Sequence, residues 1–430
     1  MTEPGRRGRS TDALAEAAAR IDGADAVRPA TEADAVDGVP PRLVVEPPTA
    51  DALAATLAWA AGEGLRVLPR GGGTKPGWGP PRAGVDLVLS TARLDALLAH
   101  RHGDLTATVQ AGAPLARVNA ELARHGQWIA LDPPFAERAT IGGIVATNDS
   151  GPRRQRHGAP RDLLIGIAMA RADGVLAKAG GIVVKNVAGY DLGKLLAGSF
   201  GTLAVITEAT FKLAPLPPAS RTVVAGPAGL DPLGALAMAL AGGQLVPTAI
   251  ELALPPGELL VRFESAEAGA VGQAEAAADL ARAQAGDARI VSGEEEAALW
   301  AAHAARPWAG PGAVVRLSLL PSELADQVGW LQKTCSAESV GPEIVGRAGI
   351  GLLLVRLDGP PEAQARVVTG LRARLPAGRG SAVVRRGSPE LRALLDPWGP
   401  LGDGLALMRS VKARFDPAGI LAPGHGPGGL

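Results

Sequence analysis

The feature that most constrains this chain is a glycine-rich loop, Arg70-Gly71-Gly72-Gly73-Thr74, that follows the apolar run at 65–69. Because glycine has no Cβ, successive backbone N–H groups in such a loop can point into one concavity and hold an anion such as a phosphate. No Gly-Lys-Ser/Thr ending closes the loop, and Pro76-Gly77 follows it where a dinucleotide-binding Gly-x-Gly-x-x-Gly loop would open a helix. Taken alone, the loop leaves a phosphate cradle and an ordinary glycine turn both open.

A second cluster of small residues lies about seventy residues downstream. It reads Thr140-Ile141-Gly142-Gly143, then Thr147-Asn148 and Gly151. The hydroxyl and amide groups of Thr140 and Asn148 can bond a ribityl chain, a phosphate or the edge of a flavin. The alternative is an irregular surface loop.

A third cluster comprises Lys185-Asn186, Gly189-Tyr190-Asp191 and the run at 198–202, with a predicted helix over 192–196 between the turns. We interpret Lys185 as a solvated lysine and Tyr190 as a half-buried phenol. The apolar run containing Leu203, Val205 and Ile206 predicts a strand that either flanks an aromatic ring or fills the core.

Length and charge narrow the class of protein. A chain of 430 residues can hold two or three domains. Lys+Arg and Asp+Glu are equal at 43 each, which argues against general binding to nucleic acid or to an anionic membrane. The single cysteine, Cys335, allows neither an internal disulfide nor a cysteine-ligated iron–sulfur cluster. With no signal peptide and no apolar window of membrane-spanning length, we expect a cytoplasmic protein, possibly peripheral to the inner membrane through partners.

The order of strand and helix signals predicts four segments. These are an N-terminal extension (1–40), an α/β part in two units (41–218), an α+β domain with antiparallel sheet (221–395), and a C-terminal helix and tail (396–430). Strands are predicted at 43–45, 65–69, 85–89, 106–110, 165–170, 181–184, 203–213, 249–254, 259–263, 313–319 and 352–357. Helices are predicted from Thr49 to about Gly62, then at 115–125, 264–285, 322–333 and 361–374, and the last residues, 426–430, are expected to be disordered.

Catalytic signals are weak. The pair in His100-Arg101-His102 has metal-like spacing, but no third ligand is evident, so we interpret it as a solvated turn. No Ser-His-Asp order with a nucleophile elbow occurs. The sequence singles out no catalytic residue and no metal site.

Taken together and in this order, the three clusters resemble the FAD-binding domain of the vanillyl-alcohol oxidase/PCMH flavoprotein superfamily. Within it, the phrase at 185–191 and the ending Phe415-Asp416-Pro417-Ala418-Gly419-Ile420 are similar to the FAD-binding subunits of bacterial glycolate oxidase, and in particular to the E subunit among them. The resemblance implies a two-part PCMH-type FAD-binding domain followed by an α+β cap domain with antiparallel sheet. FAD would lie extended between the two α/β units, with the cap over its isoalloxazine.

The resemblance also implies roles for the clustered residues. Gly71, Gly72, Gly73 and Thr74 would bind the pyrophosphate through the main chain, and Thr140, Gly142, Gly143, Thr147 and Asn148 would line its ribityl side. Gly201, Val205 and Ile206 would lie near the cofactor at the end of the sheet. Arg70, Ile141 and Gly151 complete the candidate set. Relatives that tether FAD covalently have a histidine in the first loop; Thr74 stands at that position here, which implies non-covalent FAD.

The implied function is an FAD-dependent oxidoreductase that oxidises a 2-hydroxy acid within a glycolate oxidase-like complex and transfers electrons to a partner. Its partners would be a second flavoprotein and an iron–sulfur subunit. The flavin would take a hydride at N5 or receive electrons from the sister flavin subunit. Catalytic relatives carry a histidine pair and substrate-clamping arginines in the cap, whereas residues 221–430 hold only His303 and His425 as histidines. The alternatives are a stand-alone D-lactate-type dehydrogenase or oxidase, a structural subunit without catalytic flavin and, more distantly, a nucleotide-sugar reductase.

Overall fold

The computed structural model describes residues 9–75, 77–81, 84–183, 189–376 and 378–430. These residues form one small mixed sheet, two larger antiparallel sheets and a two-stranded ribbon, with helices packed against the sheets. None of the helices in these ranges is both long and apolar enough to cross a membrane.

The first sheet has the strand order β1-β2-β4-β3, with β2, β3 and β4 parallel and β1 antiparallel at the edge. All three residues of β2 are buried, as in strands covered on both faces. The second helix begins at Thr49, whose hydroxyl accepts from Ala52 N–H at 3.1 Å, and ends at Gly64 in the left-handed conformation. Because β1 pairs with β2, the segment predicted as an N-terminal extension contributes to this sheet. The elements are α1 (Thr11–Asp22), β1 (Val27–Pro29), β2 (Leu43–Val45), α2 (Ala50–Glu63), β3 (Val67–Arg70) and β4 (Leu87–Ser90).

The second sheet is antiparallel with the order β5-β6-β10-β8-β9, and its strands form one hydrophobic core with residues of short helices. The strand at 106–110 and the helix at 192–196 lie where the sequence predicts them. The elements are β5 (Leu97–Arg101), β6 (Thr106–Gln110), α3 (Leu115–Leu122), β7 (Gln127–Trp128), α4 (Ile141–Thr147), α5 (Arg154–His157), α6 (Pro160–Leu163), β8 (Leu164–Ala170), β9 (Leu176–Gly180), α7 (Leu192–Leu196), β10 (Val205–Lys212) and β11 (Ala214–Pro215), of which β7 and β11 form the ribbon.

The third sheet has eight antiparallel strands in the order β15-β12-β14-β13-β17-β18-β16-β19. Its main helix buries a stripe of alanines that includes Ala270, Ala274 and Ala281, whose small side chains let the helix lie close to the sheet. The elements are β12 (Ala219–Ala225), α8 (Leu230–Gly242), β13 (Ala249–Leu254), β14 (Glu258–Ser265), α9 (Glu267–Ala285), β15 (Ala288–Val291), α10 (Gly293–Ala305), β16 (Ala313–Ser318), α11 (Leu324–Ala337), β17 (Gly341–Arg347), β18 (Leu352–Asp358), α12 (Pro361–Arg374), β19 (Ser381–Arg386), α13 (Pro389–Leu394) and α14 (Leu405–Phe415).

The C-terminal tail returns to the first sheet. Val67 N–H donates to the Ile420 carbonyl and Ala422 N–H donates to the Val67 carbonyl, both at 2.8 Å, so the tail lies beside β3. Lys412 Nζ fixes this tail by donating to the Leu421 carbonyl at 2.9 Å and to the Thr202 carbonyl at 2.7 Å. Strand β3, which leads into the glycine loop, is therefore bonded to β4 on one side and to the C-terminal tail on the other.

Three local predictions are wrong. The strand predicted at 181–184 instead lies at Leu176–Gly180; residues 182 and 183 form a bend, and Val184 lies outside the described residues. The tail at 426–430 is ordered, since Gly426 N–H donates to the Leu430 carbonyl at 2.7 Å. Tyr190 is 90% exposed rather than half-buried.

Candidate functional site

The glycine loop lies directly against the segment that precedes α4. A Cβ at Gly71 would stand 2.1 Å from Thr140 Oγ1, and one at Gly72 would stand 1.7 Å from the Arg138 carbonyl oxygen. Gly73 has a φ of +61°, a conformation that most side chains disfavour. A side chain at position 71 or 72 would collide with the segment before α4, and position 73 has a backbone conformation that glycine adopts readily. The two clusters therefore meet only because these three loop residues are glycines.

Between the loop and α4 lies a cavity of about 400 Å³. It brings together Arg70, Gly71, Gly72, Gly73, Thr74, Thr140, Gly143 and Thr147 of the candidate set, and adds Lys75, Arg138 and the turn at 33–36. Thr140 Oγ1 is buried and has no hydrogen-bond partner among the described residues. An unpartnered buried hydroxyl on the wall of a cationic, glycine-lined cavity fits a phosphate-bearing cofactor, because the phosphate would supply the missing acceptor.

One wall of the cavity depends on a buried carboxylate that the sequence did not reveal. Asp34 accepts from Arg70 Nη2 at 2.8 Å and from Arg28 Nη1 at 2.6 Å. The Arg28 guanidinium, with smaller contributions from Thr31 and Arg70, holds the pKa of Asp34 well below its usual range despite burial. Arg70 is therefore fixed by the segment predicted as an N-terminal extension.

The other predicted cofactor residues do not line this cavity. Ile141, Val205 and Ile206 are core residues, and Gly142 packs against Ala111, where a Cβ would approach to 2.7 Å. Gly201 lies against Pro69, where a Cβ would stand 3.4 Å from the proline ring. Asn148 and Gly151 line two smaller cavities nearer the third sheet. Lys185-Asn186 lies outside the described residues.

The first of these smaller cavities contains a cluster of arginines. It is lined by Asn148, Asp149 and Ser150, which follow α4, and by Arg154, Arg316, Arg347 and Arg385. Nε of Arg316 and Nη1 of Arg385 are buried and have no hydrogen-bond partner within the described part of the chain. Arg347 is different, since it donates to the Ser150 carbonyl at 2.7 Å and to the Gly151 carbonyl at 3.1 Å.

The cluster is electrostatically strained. Burial, and then repulsion from Arg316, lowers the pKa of Arg385 to about 9. Burial, and then repulsion from Arg154, lowers the pKa of Arg316. Asp149 lies 3.4 Å from Lys75 Nζ, so its charge is shared with a cation of its own. A bound anion would relieve this repulsion and satisfy the unpartnered donors.

The second small cavity adjoins the first. They share Trp308, Arg347 and Leu354, and the second is also lined by Asp132, Gly151, Glu251 and His303. Their volumes are about 20 Å³ and about 30 Å³, each enough for roughly one water molecule. A larger ligand therefore enters only if the shared wall shifts. Trp308 stacks on Trp78 at 6.3 Å between ring centroids, and Arg385 lies over Trp78 at 4.3 Å.

The pair His100 and His102 and the single cysteine, Cys335, do not line any of these three cavities. His100 Nε2 donates to Gln127 Oε1 at 2.8 Å, and the His102 and His125 rings lie 5.0 Å apart in a surface cluster with it. Among the described residues no group of three or more His, Cys, Asp or Glu side chains is arranged to hold a metal ion. Cys335 is buried in the core of the third sheet, and burial raises its pKa to about 11.

The fold is that of the PCMH-type FAD oxidases, and two family matches identify FAD as the cofactor. Residues 41–180 match the family described as FAD binding domain, and residues 398–425 match FAD linked oxidases, C-terminal domain. Among solved structures, alkyldihydroxyacetonephosphate synthase has a TM-score of 0.75 at 16% identity over 98% of this chain and 86% of that one. The 4-ethylphenol oxidase from Gulosibacter chungangensis has a TM-score of 0.74 at 15% identity over 99% of this chain and 98% of that one. Both likenesses concern the fold.

Three relatives give a finer comparison. Glycolate oxidase subunit GlcD of Bacillus subtilis is 27% identical over 89% of this chain and 88% of its own length. D-lactate dehydrogenase of Archaeoglobus fulgidus is 37% identical over 40% of this chain and 39% of its own length. Glycolate oxidase subunit GlcE of Escherichia coli is 42% identical over 28% of this chain and 35% of its own length. The specific likeness to the GlcE type is therefore not supported, because the match with GlcD extends along far more of both chains.

Proposed function

We propose that this protein oxidises a 2-hydroxy acid with FAD, as a flavin subunit of a glycolate oxidase-like enzyme. The observation that carries the proposal is a pair of guanidinium nitrogens, Arg316 Nε and Arg385 Nη1, that are buried and have no hydrogen-bond partner among the described residues, in a cavity close to the loop that follows α4. Buried guanidinium nitrogens without an acceptor are costly, and Asp149 is the one carboxylate in the described lining of this cavity. A substrate carboxylate would supply the missing acceptor and further negative charge. Relatives named as glycolate oxidase subunits and a D-lactate dehydrogenase support the same class of substrate.

In this proposal each part of the site has a distinct task. The glycine loop, Thr140 and Gly143 hold the phosphate-bearing part of FAD in the large cavity. When bound, FAD supplies the acceptor for the two electrons and one hydrogen that leave the substrate carbon. Arg316 and Arg385 hold the carboxylate, and Trp78 and Trp308 exclude water from it. Closing the site around the acid strengthens these charge interactions.

Electrons must then leave the flavin, and we propose that they pass to a partner. A second flavoprotein and an iron–sulfur subunit are the proposed partners, and the names of two relatives as subunits support an assembly. The proposed location is the cytoplasm, with any membrane attachment made through those partners. The alternative is a stand-alone D-lactate-type dehydrogenase, which the partial match with the archaeal enzyme favours.

The test measures binding of oxalate, a non-oxidisable acid anion, to the FAD-loaded protein by isothermal titration calorimetry. Arg316→Gln and Arg385→Gln should each weaken oxalate binding by about 10- to 100-fold, since a charge-assisted hydrogen bond contributes roughly 1.5–3 kcal/mol. Arg379→Gln, at an exposed arginine of the same domain, is the matched control and should leave the affinity unchanged. Equal affinities in all four proteins would overturn the assignment of the acid site.

A further inference from the structure

A buried histidine–carboxylate pair lies beside the arginine cluster. His303 on α10 and Glu251 on β13 are 3% and 2% exposed, and His303 Nε2 lies 2.9 Å from Glu251 Oε2. Because an ionised carboxylate only accepts hydrogen bonds, this contact requires a proton on Nε2. In the neutral imidazole the lone pair is then on Nδ1.

The second ring nitrogen of His303, Nδ1, can accept a proton. His303 Nδ1 is buried and has no hydrogen-bond partner among the described residues. A histidine with a purely structural role normally satisfies both ring nitrogens, because leaving one buried and unpaired costs about 1–3 kcal/mol. The edge-on contact with the Trp300 ring, 5.7 Å between centroids, does not provide a hydrogen-bond partner for it.

The position of His303 relates it to the acid site. It lines the cavity that shares Trp308, Arg347 and Leu354 with the arginine cavity. Arg347 connects the two, because its Nε lies 3.6 Å from Glu251 Oε1 while its Nη2 donates to Ser150. The charged groups lining the His303 cavity are Glu251, Arg347 and Asp132, and burial raises the pKa of Asp132 to about 6. An acid held by the arginines is therefore separated from a buried, oriented imidazole only by the wall that the two cavities share, and it reaches His303 when that wall shifts.

We propose that His303 is the base that takes the hydroxyl proton of the substrate, with Glu251 as its positioning residue; this inference rests on the proposed function. The O–H bond breaks and its proton moves to Nδ1 of His303. The C–H bond at the same carbon breaks, and its hydrogen leaves with the electron pair as hydride to the oxidised flavin. The freed oxygen electrons form the C=O bond of the 2-oxo acid. The acid is oxidised by two electrons and the flavin is reduced by two.

Glu251 has two effects in this arrangement. It fixes the tautomer, so that the lone pair is on Nδ1, and its negative charge stabilises the imidazolium that forms. Glu251→Gln should weaken both effects, since the amide can also present a donor to Nε2 and so favour a proton on Nδ1.

The first test needs no activity. In cofactor-free protein labelled with ¹⁵N-histidine, the His303 signals, assigned by their loss in His303→Gln, should show a protonated Nε2 and an unprotonated Nδ1. In Glu251→Gln the proportion of the Nδ1-protonated form should increase. A proton on Nδ1 in the unmodified protein would overturn the proposal, because that nitrogen could not accept another.

The second test follows anaerobic flavin reduction by glycolate and by D-lactate in a stopped-flow instrument. His303→Gln, which can still donate to Glu251, should reduce its flavin about 10²- to 10⁴-fold more slowly, with flavin content and oxalate affinity unchanged. His100→Gln, in the surface histidine cluster, is the matched control and should react at the normal rate. If the unmodified protein reduces its flavin and His303→Gln does so at a rate within threefold of it, His303 is not the base, while the proposed function stands. If the normal protein reacts with no 2-hydroxy acid, both are wrong.

Discussion

Gly72 and Arg138 lie so close together that a Cβ on the glycine would stand 1.7 Å from the arginine carbonyl oxygen. The contact joins the glycine loop to the segment before α4, and the proposed phosphate-binding cavity exists because of it.

Gly72→Ala should therefore weaken FAD binding by tenfold or more, because the added methyl group must push the two segments apart at a cost of about 1–3 kcal/mol. The measurement is quenching of flavin fluorescence during titration of cofactor-free protein. Gly272→Ala is the control, since no atom lies within 4 Å of a Cβ there. Unchanged affinity in Gly72→Ala would show that the loop does not shape the cofactor site.

Thr140→Val should separate cofactor binding from stability. The hydroxyl is buried and unpartnered, so replacing it with a methyl group should leave the cofactor-free protein equally stable or about 1 kcal/mol more stable to urea. The same change should weaken FAD binding about tenfold by removing a donor to the cofactor. A loss of stability together with normal FAD affinity would mean that the hydroxyl serves the fold.

The cofactor should be released without breaking a covalent bond. The family resemblance implies that Thr74 stands where covalently flavinylated relatives have a histidine, and a hydroxyl at that position cannot replace the imidazole tether. Precipitating the holoprotein with acid should leave all yellow colour in the supernatant. Flavin that remains in the washed pellet would contradict this prediction.

Acid binding should depend on pH through Arg385. Burial and Arg316 lower its pKa to about 9, so above that pH the folded protein without a ligand holds Arg385 largely uncharged. Oxalate requires the charged form, so its affinity should be constant from about pH 7 to 8 and fall as pH rises through about 9. Calorimetric titrations between pH 7 and 10.5 measure this, and Arg385→Gln should lack the step. A step of the same size in Arg385→Gln would assign it to another group.

How far the sequence predicted this arrangement depends on whether the signal was local. The glycine loop, Thr140 and Gly143 could be found because glycine and hydroxyl clusters stand beside apolar strands, and the structure brings them to one cavity. The FAD-binding fold and the cofactor were predicted from the family resemblance that these clusters carry. Helix α9 was predicted three residues too early, since Glu264 and Ser265 continue β14.

The acid site could not be predicted in this way. Arg316, Arg347 and Arg385 come from three strands that are far apart in the chain, and only the third sheet brings them together. The one available signal was a charged residue inside an otherwise apolar strand, as at Val314-Val315-Arg316-Leu317. His303 was hidden for a similar reason, because nothing in the alanine-rich helix α10 indicates that Glu251 lies opposite it.

The most direct measurement of the central claim is anaerobic mixing of the purified, FAD-loaded single chain with glycolate, D-lactate or another 2-hydroxy acid, followed at the visible absorption of oxidised flavin. If the arginines of this chain hold the acid and FAD is the oxidant, at least one acid should bleach the flavin and yield the matching 2-oxo acid in equal amount, and Arg316→Gln should slow the bleaching at low substrate concentration. Flavin that stays oxidised with every acid tested, in a sample with full FAD content, would contradict the account.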